Sequence, residues 1–309
     1  MFVFSLIVVR SGCLLWKMNF IQISDIASDK QRSILFLQQR GLLHNPRVCQ
    51  NCGQAMYLQL RDKGDRWRCT RNRCKTEFGL RKGTWLENSS LPLRKVILFL
   101  YAWSREMTSI RYCEHDLGVS AKTTIDWNNM VREVCAMDLL ANPVVIGGPG
   151  RTVEVDESLF SRRKNHQGRQ LPEQWVFGGI DRLTRECFLF TVPDRSGPTL
   201  LPIIQGSIRA GSTIMSDMWA AYGGIGALGF THLQVNHTFN FVDPNTGAHT
   251  QNVENNWKNA KMRNKRHHGT HRQMVESYLC EFMWRQRHHG YNDLFSQILA
   301  DIVIHFPPQ

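Results

Sequence analysis

The sequence predicts a mixed α/β protein with three parts: a small cysteine-rich ribbon, an all-helical segment, and a larger domain of alternating strands and helices. Three observations support this prediction. Two cysteine pairs lie close together between residues 49 and 74. Residues 89–140 repeat apolar side chains at helical spacing. After an Asn-Pro and Gly-Gly-Pro-Gly linker signal at 142–150, the pattern changes to short apolar runs that are typical of strands.

Length and composition indicate a globular protein with a polyanionic partner. The chain has 309 residues, of which 42% are hydrophobic and 21% charged, enough for two or three compact units. Its 38 Lys and Arg outnumber 26 Asp and Glu, which gives a net charge of +12. An excess of this size favours nucleic acid as a partner, although a basic enzyme with a solvated surface is the alternative. The pattern contains no run that would cross a membrane.

The first 45 residues are expected to form a lead-in. An apolar run over residues 2–9 is too short for a bilayer span and lacks a basic segment before it. Met18 is an alternative start, which would make residues 1–17 an extension of the gene model, and the sequence leaves this open. Residues 19–45 predict a helix capped by Asp25 or Ser28. Its expected buried stripe is Ile34, Leu35 and Leu37.

The ribbon is predicted over residues 46–88. Two cysteine pairs with two and four intervening residues are separated by 16 residues that read as two short strands. Zinc needs four ligands in a tetrahedron, and a cysteine knuckle supplies two of them, so we expect one structural zinc ion. Free structural thiols are the alternative, and the basic face of the ribbon either grips phosphates or is merely solvated. The expected ligands are Cys49, Cys52, Cys69 and Cys74.

Residues 89–141 predict three short helices. The helix-turn-helix outline comes from a helix that begins near Thr108, a turn at Gly118 and a helix capped by Ser120. A plain helical bundle without DNA contacts is the alternative. The basic segments on either side favour DNA binding by these helices. The first helix has its apolar stripe at Val96, Phe99, Leu100 and Trp103. The expected base-facing residues are Lys122, Thr123 and Thr124.

The third part has the predicted order of three strands, a helix, a strand, a helix or loop, a strand and a helix. Its first strand ends at Asp156, its fourth ends at Asp217, and Glu254 opens its last helix. Carboxylate oxygens are the ligands that hard divalent cations prefer. Acids placed at two strand ends and at a helix start are therefore candidate metal ligands.

Three motifs in this part resemble Merlin-type DDE transposases, which are eukaryotic relatives of a bacterial insertion-sequence group. They are V-E-V-D-E-S at 153–158, S-D-M-W-A-A-Y at 216–222 and H-T-Q-N-V-E-N-N-W-K at 249–258. The resemblance covers about residues 46–290. It implies a ribonuclease-H-like catalytic core over 151–290, followed by a tail over 291–309.

The resemblance implies that Asp156, Asp217 and Glu254 form the catalytic triad. Two Mg²⁺ or Mn²⁺ ions held by the triad would stabilise charge on the attacking and leaving oxygens of a phosphodiester. In this scheme water hydrolyses the strand at the transposon end, and the freed 3′-hydroxyl then attacks target DNA. Asp156 is expected to bridge the two ions.

Two further residues near the triad are candidates for auxiliary roles. Glu154 shares the strand face of Asp156 and either assists it or forms a salt bridge. His249 resembles a family position and either touches phosphate or orients Glu254, with a surface or capping histidine as the alternative.

The last predicted helix is basic. Lys258 and Lys261 follow Glu254 by four and seven residues, which predicts that they line its face. A track of phosphate contacts is expected, and a solvated basic helix is the alternative. The expected contacts are Lys258, Lys261, Arg263, Lys265 and Arg266.

The expected partner is double-stranded DNA, both transposon ends and target, and the resemblance implies a homo-oligomer because two ends must be brought together. It also implies a nuclear protein, or a cytoplasmic one if the source is bacterial. Two other functions stay open: a catalytically silent DNA-binding derivative, and a metal-dependent nuclease on the same fold. The intact triad favours an active enzyme over the first of these.

Overall fold

The structure, a computed structural model, describes residues 18–62, 64–160, 173–266, 271–289 and 293–309, without the side chains of 263–266 and 272. The chain divides into two compact units, the first made of residues 1–128 and 291–309 and the second of residues 129–290. Within the described ranges, none of the helices combines the length and apolarity needed to cross a bilayer.

The first unit begins with helices, continues as a small antiparallel sheet, and returns to helices. The unit boundary falls inside the last of these helices, between residues 128 and 129. The elements are α1 (Phe20–Ile26), α2 (Lys30–Gln39), β1 (Arg47–Val48), β2 (Ala55–Gln59), β3 (Arg66–Cys69), β4 (Glu77–Gly79), α3 (Leu93–Ser104), α4 (Ile110–His115) and α5 (Ala121–Ala141).

The lead-in contains two helices, α1 and α2, where the sequence predicted one. Each helix has its own side-chain cap: Asn19 accepts from the Gln22 N–H, and Asp29 accepts from the Arg32 N–H. The predicted caps were therefore wrong. Leu35 is 52% exposed, so it does not belong to the buried stripe.

The cysteine-rich part forms a four-stranded antiparallel sheet in the order β1-β2-β3-β4. Gly53 follows the first cysteine pair with φ +70°, a left-handed conformation that lets the chain turn back after the pair. Trp67 of β3 is buried, which gives this small sheet a hydrophobic anchor. Beyond the predicted strands, β1 and β4 extend the sheet on both edges.

The helical part follows the predicted periodicity. The α3 residues Val96, Phe99, Leu100 and Trp103 are all fully buried. Helix α4 is capped by Ser109 rather than by Thr108. Thr108 is instead buried, and its hydroxyl donates to Asn128 Oδ1 at 2.8 Å.

The second unit is a mixed sheet with helices on both faces, which confirms the predicted α/β class. The sheet order is β11-β10-β6-β7-β8, in which β10 runs parallel to β6 and β11, and β7 runs antiparallel to β6 and β8. The elements are β5 (Ile146–Gly147), β6 (Thr152–Leu159), β7 (Trp175–Asp181), β8 (Cys187–Val192), α6 (Gly197–Ser207), β9 (Ile208–Arg209), β10 (Thr213–Ser216), β11 (Thr231–Gln234), α7 (Gln251–Arg266) and α8 (Val275–Arg287).

Each face of this sheet has its own apolar core. Strand alternation sends Val153 and Val155 of β6 into the core with α6, where Leu200 and Ile204 are fully buried. The opposite face packs against α7 and α8, with Trp257 at its centre. Glu154 and Asp156 point to this second face, so acids from the central strand lie under α7.

After α8 the chain returns to the first unit as α9 (Leu294–His305). This stretch was predicted as a tail, and the structure shows a capped and largely buried helix. Asp293 accepts from the Ser296 N–H at 3.2 Å. The buried Phe295 ring stacks on Phe36 with centroids 6.1 Å apart and meets Tyr101 edge-on at 5.6 Å. Its apolar side therefore packs into the core formed with α2 and α3.

Candidate active site and metal centres

The first two candidate carboxylates lie at equivalent positions of adjacent parallel strands. The last registered pair of β10 and β6 is Met215 with Glu154. Two residues further along each strand stand Asp217 and Asp156. Parallel neighbours are about 4.8 Å apart. Both side chains are half-buried. Strand β6 continues to Leu159, so Asp156 lies inside the strand. The prediction that the strand ends at Asp156 was therefore wrong.

Helix α7 lies along β6, and each turn of the helix contacts every second residue of the strand. The Trp257 indole N–H donates to Asp156 Oδ2 at 3.0 Å, and one turn later the Lys261 ammonium donates to Ser158 Oγ at 2.6 Å. Four helical residues rise about 6 Å and two strand residues about 6.6 Å, so the two repeats stay nearly in step. This match fixes the helix that carries Glu254 over the strand that carries Asp156.

Glu154 anchors the start of the same helix. It is fully buried, and its carboxylate accepts the backbone N–H groups of Asn252 and Val253 at 2.8 and 3.0 Å. Arg182 Nε also donates to it at 2.6 Å. A carboxylate at a helix N-terminus satisfies N–H groups that have no partner within the helix and complements the helix dipole. Of the two roles left open for Glu154, this geometry favours the salt bridge.

Glu254 follows Val253 on α7 and turns toward the β10–β11 side of the sheet. Its side chain is 53% exposed. Thr250 Oγ1 donates to Glu254 Oε1 at 2.9 Å, and His237 Nε2 lies 3.7 Å from the same oxygen. Glu254 therefore faces the loop that follows β11, the strand that pairs with β10.

His237 is a site residue that the sequence analysis missed. Its Nε2 is 2.8 Å from Thr250 Oγ1, so it joins the loop after β11 to the start of α7. His249, the histidine that was predicted, instead lies beside the anchor, with its Nδ1 3.5 Å from Glu154 Oε1 and its carbonyl accepting from Arg182. No periodic pattern covers this loop, so only the fold could distinguish the two histidines.

The electrostatics of the site suit a cation. Burial raises the pKa of Asp156 to about 7, and the negative charges of Glu157 and Asp217 add to the rise. Burial also raises the pKa of Glu157, again with a contribution from Asp217. Carboxylates that repel one another in this way are stabilised by a divalent ion, and their oxygens are the ligands that Mg²⁺ prefers. The donor set of Asp156 and Asp217 therefore fits a hard metal.

The three carboxylates do not form a group whose oxygens all lie within 4.8 Å of one another, as judged over the described residues. Each carboxylate accepts a hydrogen bond from a different donor: Asp156 from Trp257, Asp217 from the Trp219 N–H at 2.9 Å, and Glu254 from Thr250. Like charges also keep them apart.

The cysteine quartet does form such a group, with all four sulfur atoms within 4.8 Å. The Sγ atoms of Cys49 and Cys74 are 3.6 Å apart, and those of Cys52 and Cys69 are 3.4 Å apart. A disulfide would be about 2.05 Å, whereas thiolates bound to one zinc at about 2.3 Å lie about 3.8 Å apart. A hydrogen bond with the Thr76 hydroxyl lowers the pKa of the Cys74 thiol. The four sulfurs therefore fit a closed tetrahedral zinc site.

The predicted base-facing residues are only partly accessible. Lys122 is exposed at the start of α5. Thr123 is half-buried, and its hydroxyl lies 2.9 Å from Ser120 Oγ. Thr124 is 1% exposed, because it shares the buried stripe of α5 with Trp127, so its prediction as a base contact was wrong.

The predicted phosphate track has a similarly mixed outcome. Lys258 is exposed on α7. Lys261 contacts Ser158 and lies 5.2 Å from the centre of the Phe160 ring, so it faces the sheet and not Glu254. The backbone of α7 extends to Arg266, but three predicted contacts have side chains outside the described residues: Arg263, Lys265 and Arg266.

The comparison with known families concerns the second unit. Residues 147–287 match the ISXO2-like transposase domain. This segment contains β6, β10 and α7, the three elements that carry the candidate carboxylates.

Two curated relatives match part of the chain. It is 29% identical over 163 residues to Male abnormal protein mab-31 of Caenorhabditis elegans, covering 47% of this chain and 38% of that protein. It is 28% identical over 102 residues to a transposase-like protein of Haemophilus influenzae, covering 32% of this chain and 81% of that protein. The chain thus spans well under half of the worm relative and most of the bacterial one.

Among solved structures, the HTLV-2 integrase catalytic core domain in complex with magnesium matches 44% of this chain and 86% of its own length. The sequence identity is 11% and the TM-score 0.30. The matching family is described as transposases, and the bacterial relative as transposase-like.

Proposed function

We propose that this protein is a DNA transposase that cleaves strands at transposon ends and joins the 3′-hydroxyl to target DNA. The observation that carries this proposal is that Asp156 and Asp217 each follow by two residues the registered pair Glu154–Met215 of two adjacent parallel strands, inside a segment that matches a transposase domain. The position of Glu254 on the helix above them supports a three-carboxylate site.

In the proposed reaction the chain's own groups hold and orient the reacting DNA. Asp156 and Asp217, together with Glu254 of α7, are the residues that would hold two divalent metal ions. Two Mg²⁺ or Mn²⁺ ions would stabilise charge on the attacking and leaving oxygens. Trp257 fixes the direction of the Asp156 carboxylate, and Thr250 fixes that of Glu254.

The other parts of the chain are assigned to binding. The net charge of +12 supports affinity for phosphate. The cysteine quartet would hold one zinc ion in a structural role, because four thiolates leave no open position for substrate. Exposed Lys122 and Lys258 are the described side chains that we assign to DNA contacts. We further propose membership of the Merlin type, a homo-oligomer that joins two transposon ends, and a nuclear location, or a cytoplasmic one in a bacterium.

The experiment that tests the proposal measures cleavage and joining of a pre-nicked transposon-end duplex with Mg²⁺ or Mn²⁺. Wild type is compared with Asp156→Asn, Asp217→Asn and Glu254→Gln. We expect metal-dependent joining in wild type, its loss in all three variants, and DNA binding retained in each of them. Cleavage that persists in one variant would remove that residue from the site.

Two other outcomes identify the alternative functions. DNA binding without cleavage, by folded and zinc-loaded wild type, would indicate a silent DNA-binding derivative. Metal-dependent cleavage without joining would indicate a nuclease. The same assay therefore separates all three functions.

A further inference from the structure

Asp217 stands where the chain leaves the sheet, so its direction depends on the loop that follows β10. The backbone N–H of Trp219 donates to Asp217 Oδ1 at 2.9 Å and closes a tight turn. Trp219 itself is 39% exposed and lies beyond the sheet, so this turn needs an external contact to hold it in place. Arg195 makes such a contact.

Arg195 fixes Trp219 in two ways. Its carbonyl accepts the indole N–H of Trp219 at 3.0 Å, and its guanidinium lies 4.5 Å from the centre of the indole ring. On its other side the same guanidinium lies 4.1 Å from the ring of Trp175, at the start of β7. The Arg195 backbone is itself set by a turn, in which Asp194 Oδ1 accepts the Ser196 N–H at 2.9 Å.

The guanidinium also reaches the central strand. Arg195 Nη1 donates to Glu157 Oε1 at 3.3 Å, and the Tyr222 hydroxyl donates to the other Glu157 oxygen. Glu157 is only 3% exposed and directly follows Asp156 in β6. One cation therefore connects the strand of Asp156 to the loop that holds Asp217.

From this geometry we propose that Arg195 is a positioning residue for Asp217, acting through Trp219, at the site of the proposed transposase function. The stack between two indole rings requires the flat, delocalised guanidinium. A lysine at this position would keep the positive charge but would lose the stack and the fixed direction of the N–H groups. Positioning by Arg195 and mere charge balance therefore make different predictions for Arg195→Lys.

The test measures Mn²⁺ binding by calorimetry on zinc-loaded protein, and does not depend on turnover. Partners that orient metal ligands change metal affinity by about 10- to 100-fold when they are removed. We expect the Mn²⁺ dissociation constant to rise by about that factor in both Arg195→Ala and Arg195→Lys. The matched control is Arg209→Ala, because Arg209 is an exposed arginine of the same unit whose guanidinium donates to the Gly147 carbonyl. This variant should leave the Mn²⁺ dissociation constant unchanged.

Tryptophan fluorescence and thermal unfolding complete the experiment. Loss of the guanidinium between two indoles should change the emission of Arg195→Ala and Arg195→Lys. The melting temperature of Arg195→Lys, which keeps a positive charge beside buried Glu157, should stay close to that of wild type. Normal Mn²⁺ affinity in Arg195→Lys, or a loss of affinity that only parallels a fall in melting temperature, would overturn the inference. If wild type binds Mn²⁺ but neither cuts nor joins DNA, the transposase proposal fails and the comparison of Mn²⁺ affinities still decides the role of Arg195.

Discussion

The Trp257 indole N–H lies 3.0 Å from Asp156 Oδ2, so the central strand and the helix of Glu254 are joined at the candidate site itself. Trp257 is 5% exposed and packs edge-on against Phe160. Its ring thus stabilises the core on this face of the sheet, and its N–H orients a carboxylate.

Replacing Trp257 with Phe should separate these two roles. The variant keeps an aromatic ring but leaves Asp156 without its donor, so we expect cleavage to fall by about 10- to 100-fold, as for other partners of metal ligands. Steady-state cleavage with Mg²⁺ is the measurement. Trp284→Phe, a change at another fully buried indole of the same unit, controls for the loss of ring volume. Equal activity losses in the two variants would show that packing alone is responsible.

A second prediction concerns Glu154, for which the sequence allowed either an auxiliary or a salt-bridging role. Glu154→Gln keeps the shape but breaks a buried ion pair with Arg182 and weakens the anchor of α7, so we expect a loss of about 3 kcal/mol in the free energy of unfolding. Urea denaturation measures it, with exposed Glu133→Gln as the control. Unchanged stability together with weaker Mn²⁺ binding would instead identify Glu154 as a metal ligand.

The strands next to Asp156 and Asp217 could be predicted because they follow strong local patterns. Apolar runs that lead into Asp156 and Asp217 predict strands, and parallel strands bring such positions together. The burial of Thr124 could also have been predicted from the sequence. Trp127 and Val131 follow it by three and seven residues, so the three share one buried stripe of the helix. That signal was outweighed by the helix-turn-helix outline.

The residues that the sequence could not reveal act through long-range contacts. Arg195 and His237 lie in loops, where no period predicts which way a side chain points. The face of α7 was predicted from Glu254, so Lys261 was expected beside it. The structure turns Lys261 to Ser158 because the helix packs by its Trp257 face. Tertiary packing, not helical spacing alone, decides which face of a helix meets the sheet.

The cysteine quartet gives a third prediction. Purified protein should contain one zinc ion per chain, and Cys49→Ser combined with Cys69→Ser should lose it and lower the melting temperature, because metal binding to such a site contributes to folding. Metal analysis and thermal unfolding are the measurements. Cys113→Ala is the matched control, since Cys113 is a buried free thiol outside the quartet. Stoichiometric zinc in the double variant would refute the assignment.

The last prediction concerns acid stability and the buried Asp181. Burial alone would raise its pKa, but the close guanidinium of Arg151 and hydrogen bonds from the Leu183 and Thr184 N–H groups more than offset this and lower the pKa below 3.8. A carboxylate whose pKa is lower in the folded state stabilises the protein above its unfolded pKa. That stability is lost as the pH falls through the lower, folded value.

Asp181→Asn should therefore reduce the free energy of unfolding at pH 7 by about 2 kcal/mol, since hydrogen bonds to a charged group are lost. It should also flatten the decline in stability as the pH falls below about 4, the usual range of an aspartate. Urea unfolding at a series of pH values measures both effects, and exposed Asp126→Asn should reproduce the wild-type profile. An Asp181→Asn protein whose stability declines as steeply as that of wild type would assign the acid sensitivity to other carboxylates.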